Sequence, residues 1–348
     1  MARFLLIRFS ALGDVAMTVP LLHSLATQYP QHHFTVLSRA AWQPLFERLP
    51  DNVSFVTADL KGKHKGIPGL NRLYNELKTQ GYDYVADLHR VLRSHFLGLR
   101  FRMAGIPVAT LHKGRSEKQK LVRRRHKLLH PLKDSFQRYA DVMARLGFPV
   151  QLQASPLYPE RKGDGPAIDA MVGAKGNLTW VGIAPFAKHE GKIYPLELQE
   201  QVVAHFAARP DVRVFLFGGG REEQAVFSRW TTKYPTVTSP AGKVDLGKEL
   251  LLMSRLDVML SMDSANMHLA SLVGVPVVSV WGATHPYAGF MGWQQSIDNA
   301  VQLGLPCRPC SVFGQKPCWR GDYACLHGID PQWVIEKVEE VLLEKGRI

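Results

Sequence analysis

The chain has 348 residues, 46% apolar and 21% charged, enough to build ordinary cores in two domains, which excludes global disorder. It contains no apolar run long enough to span a bilayer, and the N-terminal MARFLLIRFSAL lacks a small-residue cleavage site, so a cytosolic residence is expected. The net charge of +13 is uneven: residues 1–150 carry 24 Lys and Arg against 10 Asp and Glu, residues 151–348 carry 19 against 20, so the first half calls for an anionic partner.

In chain order, RFLLIRF, HFTVLSR, VSFVTAD, YDYVADLH and PVATLHK read as strands. Helical spacing separates them in VAMTVPLLHSLATQY, AWQPLFERL, GLNRLYNELKTQG and RSHFLGLRFRMAG, and KDSFQRYADVMARLG closes the half. The Pro- and Gly-rich FPVQLQASPLYPERKGDGPAIDA reads as a crossing between domains. The alternation then restarts with strands LTWVGIAPF, VRVFLFGGG, VMLSM and PVVSVWG among helices PLELQEQVVAHFAAR, EEQAVFSRWTTKY, LGKELLLMSRL and ANMHLASLV. An amphipathic helix, PQWVIEKVEEVLLEKG, ends the chain. Strand–helix alternation of this kind predicts an α/β protein of two doubly wound parallel-sheet domains facing across a cleft, residues 1–155 and 156–348, with the last helix free to pack back on the first domain.

Chemistry-bearing residues cluster at the expected strand ends. FLFGGGREE offers Gly218, Gly219 and Gly220 before a helix with Glu222 and Glu223, where backbone can approach a ligand closely. SMDSANMHLA turns from a buried strand into a helix at Asp263. The N–H groups of Ser264, Ala265 and Asn266 can receive a diphosphate there, with His268 within reach, although Asp263 could equally be a plain helix cap. APFAKHEGKIYP supplies Lys188 and Lys192 to balance charge on a departing diphosphate, and VWGATHP adds Trp281, Gly282, Thr284 and His285. In FSALGDVAMTVP, by contrast, Gly13 is followed by Asp14, which would repel a phosphate and suits a general base; its alternative is a cap for a helix starting at Val15.

The motifs LLIRFSALGDVAMTVPLLHSL, GKIYP and SMDSANMHLASLVGVPVVSVWGATHP, in that order, resemble the ADP-heptose:lipopolysaccharide heptosyltransferases of glycosyltransferase family 9. The resemblance implies a GT-B fold of two Rossmann-like domains, with acceptor on the first, sugar nucleotide on the second, and no metal or other cofactor in the chemistry. It implies an inverting transfer of heptose, or a related sugar, from a donor such as ADP-heptose to the lipopolysaccharide inner core. Asp14 matches the family's general base, Lys192 its phosphate-contacting lysine, Asp263, Ser264 and Ala265 its D-T/S-G motif, and His268 the motif's histidine. Glu222 and Val244 fall near the ribose and adenine contacts. Ala265 replaces the usual glycine.

The basic run HKGRSEKQKLVRRRHKLLHPLK then gains a partner. An anionic glycolipid at the cytoplasmic face of the inner membrane would be drawn to Lys113, Arg115, Lys118, Lys120, Arg123, Arg124 and Arg125, with Gly13 beside the acceptor. A nucleic-acid patch is the other reading of the charge, but the run lacks interleaved aromatics and no nucleic acid is expected. A nicotinamide-dependent oxidoreductase would need a G-x-G-x-x-G turn that SALGDV lacks. The four cysteines, Cys307, Cys310, Cys318 and Cys325, follow C-x2-C-x7-C-x6-C, a spacing open to a structural metal or paired thiols but not required for catalysis. A monomer is expected.

Overall fold

The computed structural model describes residues 1–159 and 165–347. Part of the expected crossing, residues 160–164, lies outside the described residues. The strands and helices run, in chain order, β1 (Arg3–Ile7), α1 (Leu12–Ala16), α2 (Val19–Gln28), β2 (His33–Ser38), β3 (Val53–Thr57), α3 (Gly66–Lys78), β4 (Tyr84–Asp87), α4 (Leu92–Met103), β5 (Val108–Thr110), α5 (Arg115–Leu121) and α6 (Ser135–Arg145). There follow α7 (Gly165–Val172), β6 (Thr179–Ala184), α8 (Leu196–Ala207), β7 (Val212–Leu216), α9 (Arg221–Lys233), β8 (Val237–Thr238), α10 (Leu246–Met253), β9 (Val258–Met262), α11 (Ala265–Leu272), β10 (Val277–Val280), β11 (Ala300–Val301), α12 (Ala324–His327) and α13 (Pro331–Glu344).

The chain divides into two compact units, Met1–Lys113 with Lys133–Leu157, and Gly114–Leu132 with Tyr158–Ile348. In the first, five parallel strands lie in the order β3-β2-β1-β4-β5. Ile7 pairs with Leu37 on one side and Asp87 on the other, so the central strands end level and their following loops share one edge. Leu5, Ile7, Leu73, Leu77, Val85 and Leu97 fill one face of this sheet. The helix expected across residues 15–29 is two helices, α1 and α2, with Pro20 in the first turn of α2, where its missing N–H costs nothing. The run at 41–49 is a 3-10 turn, Ala40–Leu45, because Pro44 cannot donate inside a longer helix.

The second unit repeats the plan with six parallel strands ordered β11-β10-β9-β6-β7-β8. Trp230, Val214, Val258, Leu260 and Val280 are buried in its core. Helix α13 buries Val334, Val338, Val341 and Leu342 in the same core and packs on α8 and β9. Its apolar stripe is thus buried inside the second unit. The two-residue strands β8 and β11 escaped the sequence reading because so short a run carries no periodicity.

The basic run provides the larger correction. A boundary at 155/156 assigned it to the first domain, but residues 114–132 pack with the second unit. Leu132 donates its N–H to the Tyr287 carbonyl at 2.9 Å, and Lys127 Nζ donates to the carbonyls of Cys307 (2.8 Å), Pro309 (3.0 Å) and Pro306 (3.3 Å). Counted by unit, the first holds 17 Lys and Arg against 9 acids and the second 26 against 21. The charge asymmetry between the halves therefore largely evens out.

Candidate functional site

In the first unit the chain leaves β1 at Ile7 and enters α1 through Arg8–Ala11. Ala11 caps α1, so Asp14 is the third helical residue rather than the cap of a helix starting at Val15. One carboxylate oxygen accepts the Ala11 N–H at 3.1 Å, and the other faces Arg8 Nη2 at 2.9 Å. The Asp14 side chain keeps 36% of its exposure, whereas Arg8 is buried. Arg8 donates to the Leu88 carbonyl at 2.6 Å, and its guanidinium lies 5.8 Å from the centre of the buried Tyr139 ring. Burial opposes the Arg8 charge, but Tyr139 and Asp14 outweigh it and hold the guanidinium pKa above its usual value. Tyr139 donates its hydroxyl to the Asp14 carbonyl at 3.4 Å. Burial, reinforced by Arg8 and Lys113, lowers His89 to about 3, so its imidazole is neutral, with Nδ1 accepting the Phe9 N–H at 3.4 Å. Gly13 precedes Asp14 on the half-exposed side of α1. The result is one accessible carboxylate aimed by a buried cation. Arg8, Tyr139 and His89 were missed from sequence; a charged residue directly after the apolar run Phe4–Ile7 was the available signal for Arg8.

In the second unit the loops after β6, β9 and β10 meet around Asp263, which directly follows β9 and is 5% exposed. Its Oδ2 accepts from Thr284 Oγ1 at 2.9 Å and pairs with Lys192 Nζ at 3.1 Å. Asp263 therefore does not cap α11. Ser264 holds the cap position, its hydroxyl pairs with that of Ser261 at 3.2 Å, and no side chain caps the first turn. Lys192, its side chain 14% exposed, ends a 3-10 turn at Glu190–Lys192. Ala283 donates to the Gly191 carbonyl at 2.8 Å, and a Cβ on Gly314, whose φ is +78°, would stand 2.5 Å from Lys192 Cγ. Only glycine lets that backbone lie along the lysine stem.

The remaining strand-end residues divide into scaffold and open surface. Gly219 donates its N–H to Glu223 at 2.7 Å, and a Cβ on Gly218 would meet the Glu223 carboxylate and the Phe227 ring. Glu223 thus organises the glycine loop, while Glu222 is exposed and Val244 half-buried. Lys188 is exposed, Ala265 and Asn266 are half-buried at the start of α11, and His268 is buried one turn on. Trp281 is fully buried and donates to Ser279. Burial lowers His285 to about 4, and its Nδ1 accepts from the Tyr287 N–H at 3.1 Å.

Arg308, between Cys307 and Cys310, was not singled out from sequence. It is 4% exposed and donates to the carbonyls of Gly282 (2.5 Å), Trp281 (2.9 Å), Thr284 (2.9 Å) and Leu303. It therefore ties the cysteine loop to the backbone that carries Thr284. All four cysteines are free, and among the described residues no group of three His, Cys, Asp or Glu is disposed to hold a metal. Burial pushes Cys325 up to about 11 and raises Cys310. At Cys318 burial is outweighed by the N–H groups of Tyr323, Arg320, Gly321 and Asp322, and its pKa falls.

Along the basic run, Arg115, Lys120, Arg123, Arg124 and Arg125 are exposed and Lys113 is half-buried. Lys118 is not at the surface: it is buried, with Nζ 4.1 Å from the centre of the Phe290 ring. No helix among the described residues is long and apolar enough to cross a membrane.

Comparison with known proteins places the chain in a family. The family model "Glycosyltransferase family 9 (heptosyltransferase)" matches residues 70–317. A curated relative, the lipopolysaccharide core heptosyltransferase OpsX of Haemophilus influenzae, is 25% identical over 86% of this chain and 83% of its own length. Among solved structures, a family 9 glycosyltransferase from Veillonella parvula is 21% identical, covers 99% of this chain and 98% of its own, and has a TM-score of 0.74. The Escherichia coli ADP-heptose lipopolysaccharide heptosyltransferase II is 19% identical, covers 99% of each chain, and has a TM-score of 0.70. The chain belongs to glycosyltransferase family 9, and its two sheets are the Rossmann-like domains of a GT-B fold.

Proposed function

We propose that this member of glycosyltransferase family 9 transfers heptose from ADP-heptose to the lipopolysaccharide inner core, inverting the anomeric centre without a metal. The observation that carries the reading is the Lys192–Asp263–Thr284 cluster beside a helix start that no side chain caps. Those N–H groups and the Lys192 ammonium suit a diphosphate leaving group. Asp263 holds Lys192 and Thr284 in place; Lys188, Gly218, Gly219, Glu222, Val244, Asn266 and His268 supply the surrounding donor surface. Asp14, accessible and oriented by Arg8, takes the proton of the attacking acceptor hydroxyl. The acceptor hydroxyl displaces the diphosphate through an oxocarbenium-like transition state. Exposed cations of the basic run, Arg115, Lys120 and Arg123–Arg125, attract the anionic glycolipid at the cytoplasmic membrane surface. The protein acts as a monomer and needs no nucleic acid.

The test is thermal stabilisation by ADP, UDP and GDP followed by transfer from ADP-heptose to an inner-core acceptor. ADP should stabilise most and heptose should be transferred with an inverted anomeric configuration. UDP or GDP in the lead would redirect the donor assignment, and a silent panel would overturn the reading.

A further inference from the structure

A cavity of about 170 Å³ opens within the second unit, between the basic segment and the cysteine loop. Arg123, Arg124, Lys316, Trp319, Cys307 and Cys310 line it. Three of these side chains are cations and none of the lining residues is a carboxylate. None is among the residues assigned above to the donor. That is well above the roughly 10–15 Å³ one water needs on the same measure, so the space admits one tetrahedral oxyanion.

The cavity is built rather than incidental. The Arg124 guanidinium sits 4.8 Å from the centre of the Trp319 ring, which uses its face and leaves the planar N–H fork for a second partner. Lys127 pins the segment behind Arg123 and Arg124 to three carbonyls of the cysteine loop. Buried Arg308 fixes that loop from the other side, and the same guanidinium holds the Thr284 carbonyl, whose hydroxyl bonds Asp263. Burial raises the Cys310 thiol pKa, which disfavours a thiolate in the lining there.

We propose that this cavity is an oxyanion subsite that takes a phosphate group carried on the saccharide acceptor, with Arg123, Arg124 and Lys316 as its ligands. The proposal rests on the anionic-acceptor reading above and adds where one acceptor charge is held. Recognition through a bidentate Arg–phosphate contact also explains why the positive charge of residues 123–125 is anchored to the second unit.

Thiol footprinting tests it without relying on turnover. Iodoacetamide labelling of the wild-type protein is followed at Cys307, Cys310 and Cys318 with inorganic phosphate, with a phosphorylated inner-core acceptor, and with the same acceptor stripped of phosphate. Cys318, whose thiol pKa is lowered and which does not line the cavity, is the internal control. The phosphorylated acceptor should slow labelling of Cys307 and Cys310 about threefold or more and leave Cys318 unchanged, and the stripped acceptor should not. An Arg124→Ala/Lys316→Ala variant should lose the protection and raise the acceptor KM about tenfold or more, with ADP stabilisation retained as the check on folding. Protection by inorganic phosphate alone, equal protection by both acceptors, or no protection overturns the proposal. Protection without any heptose transfer would overturn the activity and leave the subsite standing.

Discussion

Asp14 and Asp263 each sit near a strand's carboxyl end beside a cation, and their environments suit different proposed roles. Asp14 divides its two oxygens between Arg8 and a backbone N–H and keeps a third of its surface open. Asp263 gathers Lys192 and Thr284 on one oxygen and is almost wholly enclosed. A carboxylate that must exchange a proton with a substrate needs access; one that must hold a lysine in a fixed position needs enclosure. In each unit the cation shows the same division in reverse. Arg8 is buried behind an accessible acid, and Lys192 lies beside a helix start that no side chain caps.

The sharpest way to break this comparison is Asp14→Asn. The amide keeps the shape and loses the base, so kcat should fall about 10²–10⁴-fold while ADP binding is unchanged. Equal loss of ADP affinity would place Asp14 in donor binding and dissolve the division of labour. Lys192→Ala should do the opposite: ADP stabilisation should be lost and the rate should fall about 10²-fold. Because it also strands the enclosed Asp263 carboxylate, unfolding free energy should drop by about 3 kcal/mol in urea melts. An unchanged ADP response would remove Lys192 from the donor site.

The smallest effect concerns pH and belongs to the first unit. His89 titrates near 3 when folded because burial, Arg8 and Lys113 oppose its charge, against 6.5 when unfolded. Above pH 6.5 both states are neutral and nothing is lost. As pH falls from 6.5 towards 3 the unfolded chain binds a proton that the folded chain refuses, so stability declines by about 1 kcal/mol per pH unit. His89→Gln should make that acid limb shallower by a similar amount in melts at pH 7.5, 6 and 5. Parallel limbs for the two proteins would show that His89 is not the group responsible.

Much of the fold was legible because parallel α/β units advertise themselves locally. Buried strands such as VMLSM and VRVFL are short apolar runs, and the helices between them repeat every three to four residues. Asp263 directly follows the apolar strand β9, and Asp14 and Lys192 lie in the helical turns that come after β1 and β6, so their place at the carboxyl edges of the sheets was legible from the same local pattern. Arg8 and Arg308 were harder to recognise. Their roles depend on carbonyls at Leu88 and at Trp281, Gly282 and Thr284, which lie roughly 80 and 25 positions away in the chain.

By itself, then, the sequence determined the α/β alternation, the strand ends at which candidate residues stand and the family resemblance, all of which are written in local spacing and residue type. Tertiary structure alone decided that α13 serves the second unit, that Asp14 follows the cap of its helix and Asp263 precedes one, and that residues 114–132 leave the half of the chain in which they occur. Those outcomes depend on which distant carbonyl, ring or apolar face satisfies a side chain. Net charge summed along the sequence cannot anticipate them, because burial and hydrogen bonding are settled by neighbours in space.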